Sequence, residues 1–439
     1  MATIAGALAR IKEDVGRFLP EGSIEAACRE AGHRWRERVL GPAATVHLFV
    51  LQVLHFNTAI AALRHLAGLR FSPGSYGEAR ARLPLAALHS LLRASAGRCA
   101  GAYLWRGLRA LLVDGSSAVV PDAAGLGEAF GHPARQRDGC GFPVAKVLGL
   151  FDALSGMLVE MLCLPLFTHD MSKAVCLHPL LGPGDLLVGD RGFCSYAHVA
   201  LLHLRQVAAL FRMHQRQKVD FRPHRRAGGK GRPTSRFVAR LGRWDQLVDW
   251  VKPESRPAWM TAEQYALLPE AVRVREVRYL IPRRGQRTLR VTLATTLLDP
   301  GRYPKDAVAE LYGVRWTVET HFAELKTTLR MRAVKCRTPE AVRKELAVYC
   351  LVYNLVHAVM LEAARRQGVE PGRVSFIDAV RWLQRAAPGE APPALVVNPA
   401  RPGRHEPRVT KTRHGGSYPF MTRPRGELRS ALKKQAIPA

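Results

Sequence analysis

Two aspartates follow short apolar runs in similar sequence contexts. Asp114 comes directly after Leu111–Val113 in the segment LLVDGS, and Asp190 ends a similar run in LLVGDRG. A carboxylate at the end of a buried strand is costly unless a positive charge compensates it. Two such carboxylates on adjacent strands would be compensated by sharing a divalent cation. The alternative is that both are ordinary turn residues near glycine, where aspartate is common.

A second group of polar residues lies in the segment LYGVRWTVETHFAELKTTL. At about 100° per residue, Arg315, Glu319 and Lys326 fall within roughly 60° of Tyr312 on a helix. One stripe then presents a hydroxyl, a guanidinium, a carboxylate and an ammonium, which suits a metal ligand flanked by phosphate contacts. The plainer alternative is an exposed helix with an ordinary i,i+4 pair between Arg315 and Glu319.

The charge balance indicates the kind of partner. The chain has 439 residues, with 66 Lys and Arg against 36 Asp and Glu, and a formal net charge of +30. This charge favours nucleic acid and, less strongly, an anionic membrane surface. Hydrophobic residues make up 47% of the chain, which excludes a disordered basic tail. The eight cysteines show no CxxC pair or zinc-site spacing, so reduced cytosolic thiols are expected rather than a secreted disulfide scaffold.

Residues 1–100 are predicted to form a helical, DNA-binding N-terminal domain. The candidate helices cover Ile24–Arg38, Ala43–Ala67 and Leu85–Arg93. A helical domain with a solvated basic face explains this segment equally well. Polar residues interrupt the most apolar stretch, Val46–Leu69, so we expect a core helix there rather than a membrane span of about 20 apolar residues. The N-terminus lacks the long apolar region of a signal peptide.

The pattern changes to strands from about Leu108, and residues 101–211 are assigned to the first part of a core. The predicted strands lie at Leu111–Val113, Val144–Leu154, Met157–Leu166, Asp185–Val188 and Ala208–Met213. Helices are expected around Ser172–Leu180 and Tyr196–Arg205. Three strands in a meander, followed by alternating helix and strand, form the element order of an RNase-H-like α/β domain.

Residues 212–300 are predicted to be a basic, β-rich insertion. Their first part, 212–243, contains eleven Lys and Arg against the single acid Asp220. Gly228–Gly231 is interpreted as a flexible basic segment, because it lacks the spacing of a phosphate-binding loop. Two strands are expected at Arg273–Ile281 and Thr288–Leu298.

Helices return after the insertion. One long helix is predicted from Pro304 to about Met331 and another over Pro339–Arg366, so residues 301–385 complete the core. Residues 386–439 are predicted to be a basic, Pro-rich C-terminal tail, since residues 401–439 carry ten Lys and Arg against two Glu.

The spacing Tyr312-x2-Arg315-x3-Glu319-x6-Lys326 resembles the signature of the DDE transposases of bacterial insertion sequences, in the IS-four group. The segments VDGSS around Asp114 and GDRGF around Asp190 are similar to the first and second aspartate motifs of that family. SYGEARARLP, at residues 75–84, is similar to a stretch that precedes the family's catalytic core. The resemblance covers about residues 20–365.

The resemblance implies an RNase-H-like core in which Asp114, Asp190 and Glu319 are the catalytic, metal-binding residues. It also implies an enzyme that cuts double-stranded DNA at transposon ends and joins the freed 3′-OH to target DNA. The reaction would use two Mg²⁺ ions, for which Mn²⁺ can substitute. Two metals about 3.5–4 Å apart suit in-line displacement at phosphorus. Tyr312 and Arg315 are implied to act near the scissile phosphate, and Lys326 to contact a phosphate.

The resemblance further implies a homodimer that pairs two DNA ends, in the bacterial cytoplasm with the nucleoid and with no membrane partner. Arg191 is a further candidate phosphate contact, with a salt bridge to a nearby acid as the alternative. Three tryptophans lie in the insertion without an assigned role: Trp244, Trp250 and Trp259.

Two other functions stay open at this stage. An RNase-H-like endonuclease would cut DNA without joining it, and a catalytically inactive relative would only bind DNA. The pair His169-Asp170 could approach the site, although a plain loop pair is the favoured interpretation. Inverted repeats beside the gene, bordered by a short direct duplication, would favour a transposase.

Overall fold

The fold is taken from a computed structural model. It describes residues 18–98, 101–134, 140–214, 216–222, 235–283, 286–386 and 392–399, together with residues 424, 426–428, 430 and 431. The predicted flexible segment Gly228–Gly231 lies outside the described residues, as does most of the predicted tail.

Five helices form the N-terminal part of the described chain. They are α1 (Glu21–Glu30), α2 (Pro42–Leu54), α3 (Ile60–Ala67), α4 (Pro73–Arg82) and α5 (Leu85–Gly97). The helix predicted over Ala43–Ala67 is therefore two helices, and the first predicted helix ends earlier, at Glu30. The break falls where Phe56 and Asn57 adopt positive φ, and the Asn57 amide donates to the buried carboxylate of Glu345. A contact across nearly 300 residues thus fixes this local bend.

The centre of the molecule is a mixed sheet. Its first five strands are β1 (Arg109–Val119), β2 (Val144–Asp152), β3 (Leu158–Pro165), β4 (Asp185–Gly189) and β5 (Ala208–Arg212). The strands β1, β2 and β3 form an antiparallel meander, whereas β4 and β5 run parallel to β1. All five predicted strands are present, and β4 is buried throughout, as expected for a central parallel strand.

Short helices connect these strands. They are α6 (Leu126–Phe130), α7 (Asp170–Ala174), which continues into a 3₁₀ segment (Val175–Leu180), and α8 (Tyr196–Leu204). Parallel strands require a crossover connection, and α8 supplies it between β4 and β5. The hydroxyl of Ser195 caps α8 by accepting from the backbone N–H of His198.

The segment predicted as a β-rich insertion extends the same sheet. Its elements are β6 (Arg236–Gly242), β7 (Asp245–Val251), α9 (Ala262–Ala266), β8 (Ala271–Arg283) and β9 (Gln286–Thr295). Because β9 pairs antiparallel with β5, the nine strands have the order β3-β2-β1-β4-β5-β9-β8-β7-β6. The two strands predicted here are present, and β6 and β7 are additional.

The helix predicted from Pro304 to Met331 is interrupted. It consists of α10 (Lys305–Val314), α11 (Thr317–Ala323) and a π-helical turn (Glu324–Thr328). Between α10 and α11 the hydrogen bonds are of the 3₁₀ type, from Val318 N to Arg315 O and from Glu319 N to Trp316 O. The side-chain directions of the motif are therefore set by three helical geometries and not by one regular stripe.

The longest helix, α12 (Pro339–Gln367), is followed by α13 (Phe376–Arg385). By length and composition alone α12 could cross a membrane, but 89% of its most apolar window is buried inside the molecule. It packs against α2, α5 and β3. This burial is typical of the central helix of a folded core.

Part of the predicted C-terminal tail packs against α13. The backbone N–H of Ser375 donates to Val396 O at 2.8 Å, and Asp378 Oδ2 accepts from Val396 N at 2.9 Å. Leu395 is buried in the core. Residues 392–399 are thus tied to the fold by backbone pairing as well as by an apolar contact.

The ion pair between Arg275 on β8 and Asp245 on β7 is almost completely buried. The two side chains are 0% and 7% exposed, and Nε of Arg275 lies 2.8 Å from Oδ1 of Asp245. Arg275 also donates to the carbonyl of Tyr303, just before α10. This pair therefore connects β7 and β8 to the chain that leads into α10.

We predict that Arg275→Met destabilises the protein by about 3–5 kcal/mol, because it leaves the Asp245 carboxylate buried without a partner. Urea unfolding followed by circular dichroism measures the change. The matched control is Arg273→Met, two residues away on β8, whose partner Asp249 is half-exposed. A control effect as large as that of Arg275→Met would contradict the importance given to the buried pair.

Candidate catalytic site

The register of two strands brings Asp114 and Asp190 to the same place. On the parallel pair β1 and β4, Val113 is the partner of Gly189, so the next residue on each chain is an aspartate. Asp190 caps the 3₁₀ turn Arg191–Phe193, with Oδ1 accepting from Gly192 N at 2.7 Å. The two aspartates that the sequence singled out are therefore neighbours at one edge of the central strands.

The surroundings of the Asp114 carboxyl group disfavour its ionised form. Burial raises its pKa to about 6, opposed in part by the guanidinium of Arg315 and by the N–H of Gly115. The charges of Asp190 and Asp170 raise the pKa further. Nη1 of Arg315 lies 3.2 Å from Oδ2 of Asp114. Additional positive charge at this position would stabilise the ionised carboxylate.

Tyr312 and Arg315 lie beside the aspartates and are buried. The Arg315 guanidinium is 5.6 Å from the ring centre of Tyr312 and 4.1 Å from that of Trp316. Burial raises the pKa of Tyr312 to about 12, so its hydroxyl is protonated, and the nearby charges that act on it include those of Asp190 and Arg212. Among the described residues, Tyr312 Oη and Arg315 Nε are buried without a hydrogen-bond partner. An unpaired buried polar group costs about 1–3 kcal/mol, which suggests a site built for an external polar ligand.

Glu319 lies between two contacts that hold its chain segment on the sheet. Arg315 reaches Asp114 on β1, and Lys326 Nζ donates to Ser116 Oγ on the same strand at 3.0 Å. Glu319 is half-buried in α11, and α11 packs against β1. The helix that carries Glu319 is thus held against the strand that carries Asp114.

Phe322 fixes the position of α11 over the neighbouring strand. Its ring packs above Gly149 on β2, where an added Cβ would lie 3.3 Å from Cζ of Phe322. Gly149 is the direct partner of Asp114 in the antiparallel pair. The ring of Phe151 completes the contact in an edge-to-face arrangement with Phe322 at 5.4 Å.

The other predicted DNA contacts differ in exposure. Arg191 is exposed on the turn directly after Asp190. Lys326 is half-buried, and burial lowers the pKa of its ammonium group.

The tryptophans without an assigned role differ in the same way. Trp250 is buried and donates to Glu276 at 3.2 Å, so it is not available to stack on a base. Trp244 lies at the turn between β6 and β7, with Arg243 4.7 Å from its ring centre.

The structure brings Asp170 closer to the site than the favoured interpretation of a loop pair suggested. Its Oδ2 would lie 2.9 Å from a Cβ added to Gly115, the residue after Asp114. Lys146 on β2 holds the Asp170 carboxylate, with Nζ 2.9 Å from Oδ1. Besides Asp190, a further carboxylate therefore acts on Asp114, and it is paired with a lysine.

A second cluster of possible metal ligands was not predicted from the sequence. His321, Glu324 and His357 lie together beneath α11 with ligand atoms within 4.8 Å of one another. The i,i+3 spacing of His321 and Glu324 was a visible signal. The third member, on α12, could be found only from the fold.

The donor set of the first site fits a hard divalent cation. Asp114 and Asp190 supply carboxylate oxygens, and oxygen ligands are those that Mg²⁺ prefers. The burial of Asp114 and its repulsion by Asp190 are the conditions that a shared cation relieves. The unpaired Tyr312 Oη and Arg315 Nε offer two donors to a phosphate at the same place.

Comparison with known proteins identifies the class. The family model described as a transposase DDE domain matches residues 105–355, more than half of the chain, and the chain belongs to this family. It is 26% identical over 331 residues to the transposase InsG for insertion sequence element IS4 of Escherichia coli (strain K12), which covers 70% of this chain and 69% of that protein. The resemblance to the IS-four group of DDE transposases is thereby confirmed.

A solved structure is also similar in outline. The cryo-EM structure of the piggyBac transposase synaptic complex with hairpin DNA matches with a TM-score of 0.37 and 11% identity. The match covers 86% of this chain and 79% of that one. A likeness at this level carries no argument about the site.

We predict that Gly149→Ala destabilises the protein by about 1–3 kcal/mol, because the new methyl group forces Phe151 and Phe322 apart. Its Cβ would lie 2.6 Å from Cε2 of Phe151. Thermal unfolding measures the change. Gly77→Ala is the control, since a Cβ there meets nothing within 4 Å on helix α4, and it should be neutral or stabilise by up to about 1 kcal/mol. Equal unfolding temperatures for wild type and Gly149→Ala would contradict the close packing of α11 on β2.

Proposed function

We propose that this protein is a DNA transposase that cuts DNA at the ends of its element and joins the freed 3′-OH to target DNA. The observation that carries the proposal is the juxtaposition of Asp114 and Asp190 beside a chain segment bearing Tyr312, Arg315, Glu319 and Lys326. Membership of the transposase DDE family supports the same conclusion.

We also propose that the core is RNase-H-like. In support, β1 to β5 have the order β3-β2-β1-β4-β5, with an antiparallel meander followed by two parallel strands. In this proposal residues 101–211 and 301–385 are two parts of one core, and residues 212–300 are an insertion between the second aspartate and the glutamate.

In the proposed site, Asp114, Asp190 and Glu319 are the catalytic residues and hold two Mg²⁺ ions, which Mn²⁺ can replace. When bound, the metals activate the attacking oxygen and stabilise the leaving oxygen in an in-line displacement. Arg315 holds Asp114 in place through its 3.2 Å contact. The protonated hydroxyl of Tyr312 donates to a phosphate oxygen near the scissile bond. Lys326 and Arg191 contact phosphates along the backbone.

The same proposal assigns the rest of the chain to DNA binding. The net charge of +30 supports phosphate contacts that weaken steeply with added salt. Residues 1–100 would bind the terminal inverted repeats, and the insertion and residues 386–439 would hold DNA by its backbone. We propose a homodimer that pairs two ends, in the bacterial cytoplasm with the nucleoid.

We predict that wild-type protein with Mg²⁺ produces both cleaved and joined DNA from a labelled substrate carrying the element's ends. Asp190→Asn removes a charged metal ligand and several kcal/mol of transition-state stabilisation, so both products should fall by at least about a hundredfold. The control Asp306→Asn alters an exposed aspartate in the first turn of α10 and should leave both products unchanged.

The other outcomes separate the rival functions. Cleavage without joined products would indicate an endonuclease and contradict the transposase proposal. Binding of the ends without any cleavage, with Mg²⁺ or with Mn²⁺, would indicate a catalytically inactive DNA-binding relative.

A further inference from the structure

Two histidines and a glutamate converge in the core below α11. His321 belongs to α11, Glu324 opens the π-helical turn, and His357 comes from α12. Glu324 Oε2 lies 3.5 Å from His321 Nδ1 and 3.4 Å from His357 Nε2. The side chains of His321, Glu324 and His357 are only 11%, 15% and 6% exposed, so water has little access to them.

The spacing of these atoms suits a bound ion better than direct hydrogen bonds. A charge-assisted hydrogen bond between nitrogen and a carboxylate is about 2.7–2.9 Å long. The edges of a tetrahedron with metal bonds of about 2.0–2.1 Å measure roughly 3.3–3.4 Å. The two observed separations, 3.5 and 3.4 Å, lie close to the second value.

Neighbouring groups contact the histidines of the cluster, as the hydrogen-bond partners of metal-binding histidines do. The other ring nitrogen of His357, Nδ1, faces the carbonyl of Ser155 at 3.4 Å, a long contact on the side where metal-bound histidines commonly have a backbone partner. The hydroxyl of Tyr353 is 2.9 Å from His321 Nδ1 and 3.0 Å from the carbonyl of Gly156. The oxygen of Tyr353 therefore lies next to the cluster, beside one of its nitrogens.

The absence of a side chain at Gly156 leaves space for the ring of His357. This residue has φ of +73°, and a Cβ there would lie 2.6 Å from Cε1 of His357. The ring of Phe151 stacks on His321 at 5.3 Å from the other side. The π-helical turn that begins at Glu324 is a rare geometry, often found at functional sites.

We propose that His321, Glu324 and His357 bind one Zn²⁺ ion, with Tyr353 as the fourth ligand. Two imidazole nitrogens and a carboxylate oxygen are ligands that Zn²⁺ accepts in tetrahedral sites. The burial of the cluster makes this a closed, structural site that does not take part in the DNA chemistry. The proposal is independent of the proposed transposase function.

The ion would link three parts of the molecule. It would join α11 and the π-helical turn to α12 and to the β2–β3 connection, which carries Ser155 and Gly156. Glu319 lies five residues before Glu324 on the same helical segment. The zinc would thereby position Glu319 relative to the sheet that carries Asp114.

The test is the zinc content of full-length protein, purified without a polyhistidine tag from zinc-supplemented cells and measured by mass spectrometry. We expect about one zinc per chain in wild type and in Asp190→Asn, because the second variant alters only the first site. Only traces should remain in His357→Gln and in Glu324→Gln. The matched control His203→Gln alters an exposed histidine on α8 and should retain the ion.

A second measurement uses wild type alone, so it does not depend on the folding of a variant. Protein produced with Co²⁺ in place of zinc should show the intense visible bands of tetrahedral cobalt. Folded wild type with only traces of zinc, or without these bands, would overturn the proposal. So would zinc contents that are equal in wild type and in folded His357→Gln and Glu324→Gln.

Discussion

The burial of the Asp114 carboxylate beside Asp190 is the constraint on which the arrangement around the site depends. The parallel register of β1 and β4 fixes both residues at one edge, and burial raises the pKa of Asp114 to about 6. Positive charge close by favours the ionised form of such a pair. Arg315 supplies part of it, and the segment that carries Arg315 must therefore return to β1 from far along the chain.

The insertion determines how that segment returns. After β5 the chain forms β6, β7 and β8, which extend the same sheet, and then β9, which pairs with β5. The carbonyl of Tyr303, which follows β9, accepts from the buried Arg275. The start of α10 is thus held to the extended sheet, and Arg315 and Lys326 then attach the following turns to Asp114 and Ser116. In this way strands β6 to β9 contribute to the geometry of the site.

Local sequence patterns were enough to predict the central strands. For Asp114 and Asp190 they left ordinary turn residues as an alternative, and the register of β1 and β4 shows that the two aspartates meet. Each aspartate ends an apolar run, and the ends of adjacent parallel strands meet at one edge. The bend at Asn57 was missed because it depends on Glu345, a partner distant in sequence. The interruptions near Arg315 and at Glu324 were missed for a related reason. An α-helix, a 3₁₀ turn and a π turn differ little in local preference, so tertiary contacts decide among them.

Strands β6 and β7 were only covered by the general prediction of a β-rich insertion. Charged and apolar residues mix along them, and Asp245 is buried only because Arg275 on the neighbouring strand pairs with it. The cluster beneath α11 was missed because His357 is 33 residues from Glu324. Its position on α12 follows from the packing of that helix, which no local pattern contains.

The central claim is that Asp114, Asp190 and Glu319 hold divalent metal together. Anomalous X-ray scattering from crystals soaked in Mn²⁺ tests it directly, because manganese can be located independently of the protein atoms. The account predicts an anomalous peak between the carboxylates of Asp114 and Asp190, within about 2.0–2.3 Å of their oxygens, with Glu319 as a further ligand. Manganese bound only elsewhere, or no peak at these carboxylates in crystals that bind manganese at other sites, would contradict the account.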